Sequence, residues 1–315
     1  MERTSRPERL AADSAGLARA AELLRASGLV AIPTETVYGL CARADRDESV
    51  AAIYRAKGRP SFNPLIVHVA DIEGARAVAR FDPRAEALAA AFWPGALTMV
   101  LPLAEGAAIA PAVTAGLPTV ALRCPAHPVM REVIARCGLP LAGPSANRSG
   151  GVSPTTAEHV VSSLGERVDA VVDGGACEAG LESTIVALRG DGRWQVLRPG
   201  PIPQARIRAI LGTDPDAVTS QEIEAPGQLA SHYAPGKPVR LDALDAEADE
   251  FHIGFGAVAG HASLSASGDL AEAASRLYAL LHEGAAADFP RIAVAPVPEG
   301  GIGAAINDRL RRAAA

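Results

Sequence analysis

The chain has 315 residues, with 36 acidic against 30 basic side chains, a net charge of −6, 49% hydrophobic residues and only 4% aromatics. A core of that size needs neither disulfides nor a structural metal, and the composition excludes the disordered and fibrous classes. The acidic balance argues against a general nucleic-acid binder, which depends on a basic surface to neutralise phosphates.

The opening MERTSRPERLAADSAG holds no apolar block that could serve as a signal peptide, and no later run approaches the roughly 18 apolar residues of a membrane span. A cytoplasmic protein without membrane contact is expected. Residues 14–27 carry helical periodicity with Leu17, Ala21 and Leu24 on one face, and Gly28 stops them. A short strand, LVAIP, follows, and then the polar TET and VYGL. The next helix spans Asp47 to Lys57, turns Val50, Ile53 and Tyr54 inward and ends at Gly58, with Pro60 barring continuation. NPLIVHVAD reads as a buried strand and residues 83–92 as a helix before WPG. LTMVLPL, TVALRCP, PLAGPS, AVVDGG and STIVAL read as further short strands, so a sheet of about six or seven is expected. This alternation predicts an α/β architecture. After residue 212 the sequence turns polar, Pro-rich and aperiodic, which reads as a linker. VRLDAL, FHIGFGAV, the helix DLAEAASRLYALLHEG, RIAVAPV and a last helix IGAAINDRLRRA then predict a small second α/β unit. The expected boundaries are 1–212, a linker at 213–237, and 238–315.

Cys41, Cys124, Cys137 and Cys177 are far apart, with no CxxC pair and no Cys/His spacing for zinc, and read as small buried hydrophobes; no metal-ligand set is expected. GxxxxGK[ST], GxSxG and HExxH are all missing. GFGAVAG at 254–260 has the wrong spacing for a dinucleotide fingerprint and reads as a tight strand-to-helix turn.

Chemistry must therefore come from less generic segments. Only Lys57 and Lys237 are lysines among the 30 basic residues, which singles out Lys57 in RAKGRPSFNPL, between Arg55 and Arg59. These cations either complement a helix C-terminus or, with the Asn63 amide, form a polyphosphate site. In PTETVYGL, Thr34 or Thr36 either meets a substrate at a strand end or caps a turn. His68, in LIVHV, is either a core imidazole or a site group. GPSANRSGGVSPTTAEHV concentrates Ser145, Asn147, Ser149 and Ser153 between glycines, a loop suited to oxyanions, while Ser153 or Thr155 is a candidate helix N-cap.

PTETVYGL, AKGRPxxNPLIVH, WPGALT, PSANRSG, LESTIV and VLRPG, in this order, resemble the YrdC-like family of threonylcarbamoyl-AMP synthases, and PGQLASHYAP resembles the linker of its two-domain members. The resemblance is strong over about residues 15–202 and looser after 238. Departures are Cys41, where the family commonly has Gly, Cys124 in place of an aliphatic residue, and the linker residues before Tyr233. The resemblance implies a twisted mixed-sheet domain with a concave, positively lined cavity, followed by a small Rossmann-like domain with no nucleotide of its own. It implies an enzyme joining L-threonine, bicarbonate and ATP, the latter with Mg2+, into threonylcarbamoyl-AMP and pyrophosphate for the N6-threonylcarbamoyladenosine modification of tRNA. Transient contact with tRNA or the downstream threonylcarbamoyl transferase would follow.

The same resemblance places Thr36, His68, Arg123 and Ser183 around threonine. It places Lys57 and Arg59, with Asn63, Ser145, Asn147 and Ser153, at the triphosphate and carbonate, with Lys57 and Arg59 catalytic. Thr119, Arg198 and Tyr233 would contact ATP, and the linker would act as a lid. No enzyme-bound adduct is needed: positioning and charge neutralisation suffice. The competing class is an RNA-binding module of the same fold without synthase activity.

Overall fold

The computed structural model describes residues 6–217, 223–228 and 232–315. Fourteen strands run in chain order: β1 (Glu8–Ala11), β2 (Val30–Ile32), β3 (Gly39–Arg43), β4 (Ile66–His68), β5 (Leu97–Pro102), β6 (Thr119–Arg123), β7 (Leu141–Ala142), β8 (Ala170–Asp173), β9 (Thr184–Leu188), β10 (Trp194–Arg198), β11 (Val239–Arg240), β12 (Glu250–Gly254), β13 (Ala262–Ser263) and β14 (Arg291–Val294). The helices are α1 (Ser14–Arg25), α2 (Asp47–Lys57), α3 (Ile72–Arg76), α4 (Pro83–Phe92), α5 (Pro111–Thr114), α6 (Pro128–Cys137), α7 (Ala157–Leu164), α8 (Gln204–Leu211), α9 (Leu270–Ala286) and α10 (Gly303–Ala313).

The first ten strands form one mixed sheet in the order β1-β8-β2-β3-β7-β4-β6-β5-β9-β10, and the last four form a parallel sheet, β11-β14-β12-β13. The larger sheet exceeds the six or seven strands expected. The unread strands are β1 and β10, at its two edges, and β3. ERLA has a single buried residue and WQVLR interleaves polar residues, so neither forms a continuous apolar run, while the buried GLCA of β3 is short and opens on glycine, a weak strand former. GFGAVAG also differs from expectation, because it leads from β12 into β13 and not into a helix. A Cβ on Gly254 would lie 2.3 Å from the Val258 carbonyl oxygen, and one on Gly260 2.5 Å from that of His252, so close backbone packing demands both glycines.

Helix predictions near the site hold. Leu17, Ala20, Ala21 and Leu24 of α1 are buried, and Asp13 caps it by accepting from the Gly16 N–H. α2 buries Val50, Ile53 and Ala56 and ends at Gly58 in the left-handed region, φ 61°. Tyr54 is only partly buried; its hydroxyl donates to the carbonyls of Asn63 and Ala112 and so ties the following loop to the domain. α7 is capped by Thr156, whose side chain accepts from the His159 N–H, and not by Ser153 or Thr155. All four cysteines are buried and free.

The two faces of the large sheet are covered differently. On one, alternate residues such as Ala31, Val67, Met99, Leu122, Ala142 and Val186 join the main core. On the other, Val30, Ile32, Leu141 and Val172 pack with α1 and α6 at the β1-β8-β2 end. Further along that second face lies a smaller apolar strip of Ile66, Val100, Ala121, Ile185, Ala187 and Leu197, joined by Ala225 from the linker. The functional residues gather beside this strip. Among the described residues no helix is long and apolar enough to cross a membrane.

Candidate active site

Strand pairing places the first half of the site. His68 and Arg123 are register partners on the parallel strands β4 and β6, so both side chains project from the same face. The alternation that puts Ile66 and Ala121 on the apolar strip puts His68 and Arg123 two residues further along it. Thr98 and Ser183 stand in the same relation to Val100 and Ile185, and their hydroxyls are 2.7 Å apart. Arg123 donates from Nε to the Gly95 carbonyl (3.1 Å) and from Nη1 to Thr36 Oγ1 (2.8 Å), while Nη2 lies 2.7 Å from Glu35 Oε1. Thr36 Oγ1 is in turn 2.8 Å from Thr34 Oγ1.

His68 is 2% exposed. Its Nε2 lies 3.0 Å from the Gly143 carbonyl oxygen and its Nδ1 has no partner. A carbonyl accepts only, so Nε2 carries the proton and Nδ1 is a free acceptor. Burial, helped by the Arg123 charge, lowers the imidazole to about 4 and keeps it neutral. Burial alone would raise the Glu35 carboxyl, but Arg123 holds it below its ordinary value.

The second half is cationic. Arg59 is 8% exposed; its Nε donates to the Asn63 carbonyl (3.0 Å) and its Nη2 to Asn63 Oδ1 (2.6 Å) and the Pro64 carbonyl (2.8 Å). Asn63 Nδ2 has no partner. Arg198 donates to the Ser183 carbonyl (3.0 and 3.1 Å) and hydroxyl (3.2 Å) and to the Pro226 carbonyl (3.3 Å). Burial lowers Arg59 to about 10, which leaves it charged at neutral pH, and burial also lowers Arg198 from its ordinary value. A buried cation with donors to spare attracts an anion.

These groups surround one cavity of about 510 Å3. Thr36, His68, Arg123 and Ser183 line it together with Arg59, Ser145, Arg198 and Tyr233. Lys57, Asn63, Asn147 and Ser153 stand one layer behind. Lys57 is 3% exposed, and its Nζ donates to the carbonyls of Ser145 and Asn147, so the singular lysine organises the PSAN loop; burial and the nearby Arg59 push its pKa well down. Asn147 braces the same loop from Nδ2 to the carbonyls of Arg148 and Gly151 (both 2.8 Å), and Ser153 donates to Glu182. Thr119 shares the face of Arg123 but lies four residues away, about 13 Å in a strand, and does not line the cavity.

The linker completes the wall. Pro226, Gly227, His232 and Tyr233 line the cavity, whereas Leu229, Ala230 and Ser231 of the linker motif lie outside the described residues. Tyr233 is 1% exposed and holds a positive φ of 65°. A Cβ on Gly227 would lie 2.8 Å from Arg198 Cδ and 3.0 Å from the Tyr233 hydroxyl, so a side chain there would pry the linker from the site. Glu182, Glu35 and His232 escaped the sequence reading: a carboxylate among cations and a histidine in a linker carry no spacing signal of their own. Only Glu182 among the lining residues is acidic. Burial would raise it, but Arg309, Arg198 and the Ser153 hydroxyl bring it down to about 2.

Comparison with known proteins agrees with this fold. Residues 22–200 match the Sua5/YciO/YrdC family model, described as "Telomere recombination", and residues 202–315 match "Threonylcarbamoyl-AMP synthase, C-terminal domain". The threonylcarbamoyl-AMP synthase of Bacillus subtilis (strain 168) is 46% identical over 239 residues, 74% of this chain and 68% of that protein. That of Pyrococcus abyssi is 38% identical over 320 residues, covering 93% and 92%. The crystal structure of P. abyssi Sua5 complexed with L-threonine superposes with a TM-score of 0.87 at 33% identity, over 98% of this chain and 97% of that one. A variant of P. abyssi Sua5 with a histidine and the following tyrosine both changed to alanine superposes at 0.89, with 32% identity, over 98% and 96%. With the two family models together matching residues 22–200 and 202–315, and with relatives at 38–46% identity, the chain belongs to the Sua5/YrdC family and is a threonylcarbamoyl-AMP synthase of its two-domain form.

Proposed function

We propose that the cavity binds L-threonine against Thr36, His68, Arg123 and Ser183, and the phosphates of ATP against Arg59, Arg198 and the loop of Ser145. The observation that carries this reading is the pairing of a neutral acceptor, His68 Nδ1, with a fixed guanidinium, Arg123, in the same hollow as two further guanidiniums. The α-carboxylate of threonine suits the Arg123 fork, and a hydroxyl or ammonium suits the imidazole lone pair. Ile66 from the apolar strip and the Tyr233 ring, both on the cavity wall, offer apolar contact to the nucleotide base.

The chemistry then follows from charge and placement. The threonine amine attacks the carbon of bicarbonate, water leaves, and a carbamate forms. A carbamate oxygen attacks the α-phosphorus, the bond to the β-phosphate oxygen breaks, and pyrophosphate departs. Two anions must meet, and buried cations lower that repulsion far more than water could. Lys57 serves by holding the Ser145 and Asn147 carbonyls in place, so the loop keeps its shape beside the phosphates. Among the described residues no cluster of three potential metal ligands exists, and both oxygens of Glu182 are engaged by Ser153, Tyr278 and Arg309. Mg2+ therefore fits as a passenger on ATP, where it supplies charge neutralisation of the phosphate oxygens. Of the linker expected at 213–237, positions 218–222 and 229–231 lie outside the described residues; the described Pro226, Gly227, His232 and Tyr233, between catalytic residues 1–212 and the second domain, act as the lid, and Tyr233 excludes water from the labile anhydride. The product passes to a transferase acting on tRNA.

The test is product formation by the full chain with L-threonine, bicarbonate and ATP with Mg2+, monitored by mass and by pyrophosphate release. Threonylcarbamoyl-AMP should appear only when all three substrates are present. Pyrophosphate release indifferent to threonine would overturn the assignment of the cavity.

A further inference from the structure

The second domain reaches the wall of the active site through a buried guanidinium and a buried tyrosine. Arg309, on α10, is fully buried, yet it does not line the cavity. Its Nε donates to Glu182 Oε2 (2.9 Å), its Nη2 to the Pro199 carbonyl (3.0 Å) and its Nη1 to Asp308 (2.7 Å). The guanidinium carbon lies 5.3 Å from the centre of the Tyr233 ring. Tyr278, on α9, donates to Glu182 Oε2 (2.7 Å) and stacks on Tyr233 at 5.5 Å. Two residues of the cavity wall, Glu182 and the linker Tyr233, thus converge on Arg309, together with Pro199, the neighbour of a third, Arg198.

The linker backbone is fastened at the same place. The His232 N–H donates to the Arg312 carbonyl (3.1 Å) at the end of α10, and the Ala234 N–H to the Gly150 carbonyl (2.8 Å) of the loop that carries Asn147. α9 approaches so closely that a Cβ on Gly180 would lie 2.5 Å from backbone atoms of Ala274 and Ser275, and its His282 Nε2 lies 3.1 Å from the Ser153 carbonyl oxygen.

We propose that Arg309, backed by Tyr278, is a positioning residue of the active site in the other domain, with two effects. It occupies Glu182, leaving Arg198 and Arg59 free for phosphate, and it holds the Tyr233 ring closed over the cavity. The proposal rests on the reading that the Arg59 and Arg198 end of the cavity takes ATP. Its physical basis is that Glu182 is a carboxylate within electrostatic reach of Arg198 and Lys57. Without Arg309, Glu182 turns to the cations meant for the nucleotide, and a planar group no longer backs the tyrosine ring.

The experiment uses the full chain. Arg309→Met should raise the ATP KM at least fivefold and leave the threonine KM within twofold. Adding Glu182→Gln to Arg309→Met should bring the ATP KM back to within threefold of wild type, a recovery that a merely structural role would not give. Arg309→Lys keeps a cation toward Glu182 but not the stacked plane. It should speed hydrogen exchange at the His232 and Ala234 amides at least tenfold, with substrates absent, while the ATP KM stays within threefold. An unchanged ATP KM in Arg309→Met, with or without a lower melting temperature, overturns the proposal. So does a double variant no better than the single one. Should Arg309→Met fail to fold, the Arg309→Lys exchange measurement decides, and unchanged protection there refutes the latch. Wild-type protein that makes no threonylcarbamoyl-AMP would instead defeat the underlying reading, and the exchange result would stand apart from it.

Discussion

Gly143→Ala tests how His68 is held. Gly143 has no positive φ, so alanine is allowed by the backbone, but its Cβ would sit 2.7 Å from His68 Cδ2, 3.0 Å from Nε2 and 3.2 Å from Cys41 Sγ. Ordinary carbon contact needs about 3.5–4.0 Å, so the ring must retreat by about 1 Å. It has nowhere to slide, because β4 is fixed between β6 and β7, with His68 opposite both Arg123 and Leu141. The ring must therefore rotate, which breaks the 3.0 Å bond from Nε2 to the Gly143 carbonyl and re-aims Nδ1. Overpacking costs about 1–3 kcal/mol of stability and the lost hydrogen bond about 1 kcal/mol more. Loss of one neutral hydrogen bond to substrate corresponds to a threonine KM raised roughly five- to tenfold, with the ATP KM within twofold. Urea unfolding and steady-state pyrophosphate release read the two effects separately. If threonine KM stays at the wild-type value while stability falls, His68 is a core imidazole and its assignment to the substrate is wrong.

Other expectations follow from the same geometry. Arg59→Ala should lower turnover at least about tenfold by removing charge stabilisation at the phosphates, and a change under twofold would remove it from the catalytic list. Lys57→Ala should match that loss but also cost stability, because two loop carbonyls lose their donor; equal loss of activity at undiminished stability would place the ammonium in direct contact with substrate. Arg123→Ala should raise the threonine KM and scarcely move that of ATP, and the reverse pattern would exchange the two halves of the site. Burial holds His68 and His159 at about 4 and His232 at about 3, against roughly 6.5 in the unfolded chain. The unfolded state therefore takes up protons first as pH falls below about 6.5, and stability drops with a limiting slope of about 1.4 kcal/mol per pH unit for each imidazole. Urea unfolding at pH 7.5, 6.5 and 5.5 measures this, and a flat profile would show the rings to be solvated.

Much of this site was legible because the large sheet obeys period-two alternation. Once LIVHV and TVALR are strands, His68 must share a face with Ile66, and Arg123 with Ala121. The motif loops were legible from glycine, proline and small hydroxyl residues, and the rare lysine did mark a special place. Its contacts were not legible, since sequence gives no sign that Lys57 would be turned toward carbonyls. Glu182 and Arg309 were hidden for a related reason. They are 127 positions apart, and a buried ion pair acquires meaning only when the tertiary fold brings its halves together. The edge strand β1 was missed because three of its four residues are exposed, and β10 because Gln195 and Arg198 interrupt its apolar run.

The order of the large sheet also constrains how the chain is made. β8 inserts between β1 and β2, and β7 between β3 and β4, so strands completed early wait for neighbours made well over a hundred residues or several dozen residues later. Until residues 141–173 have emerged, the pieces present at the ribosome are a β2-β3 hairpin and a β4-β6-β5 sheet whose margins stand unpaired. Such long-range closure is slow, and open margins recruit other chains. Nascent polypeptides stalled before Leu141 should therefore aggregate, while those extended past Arg198 should resist protease over the same segment.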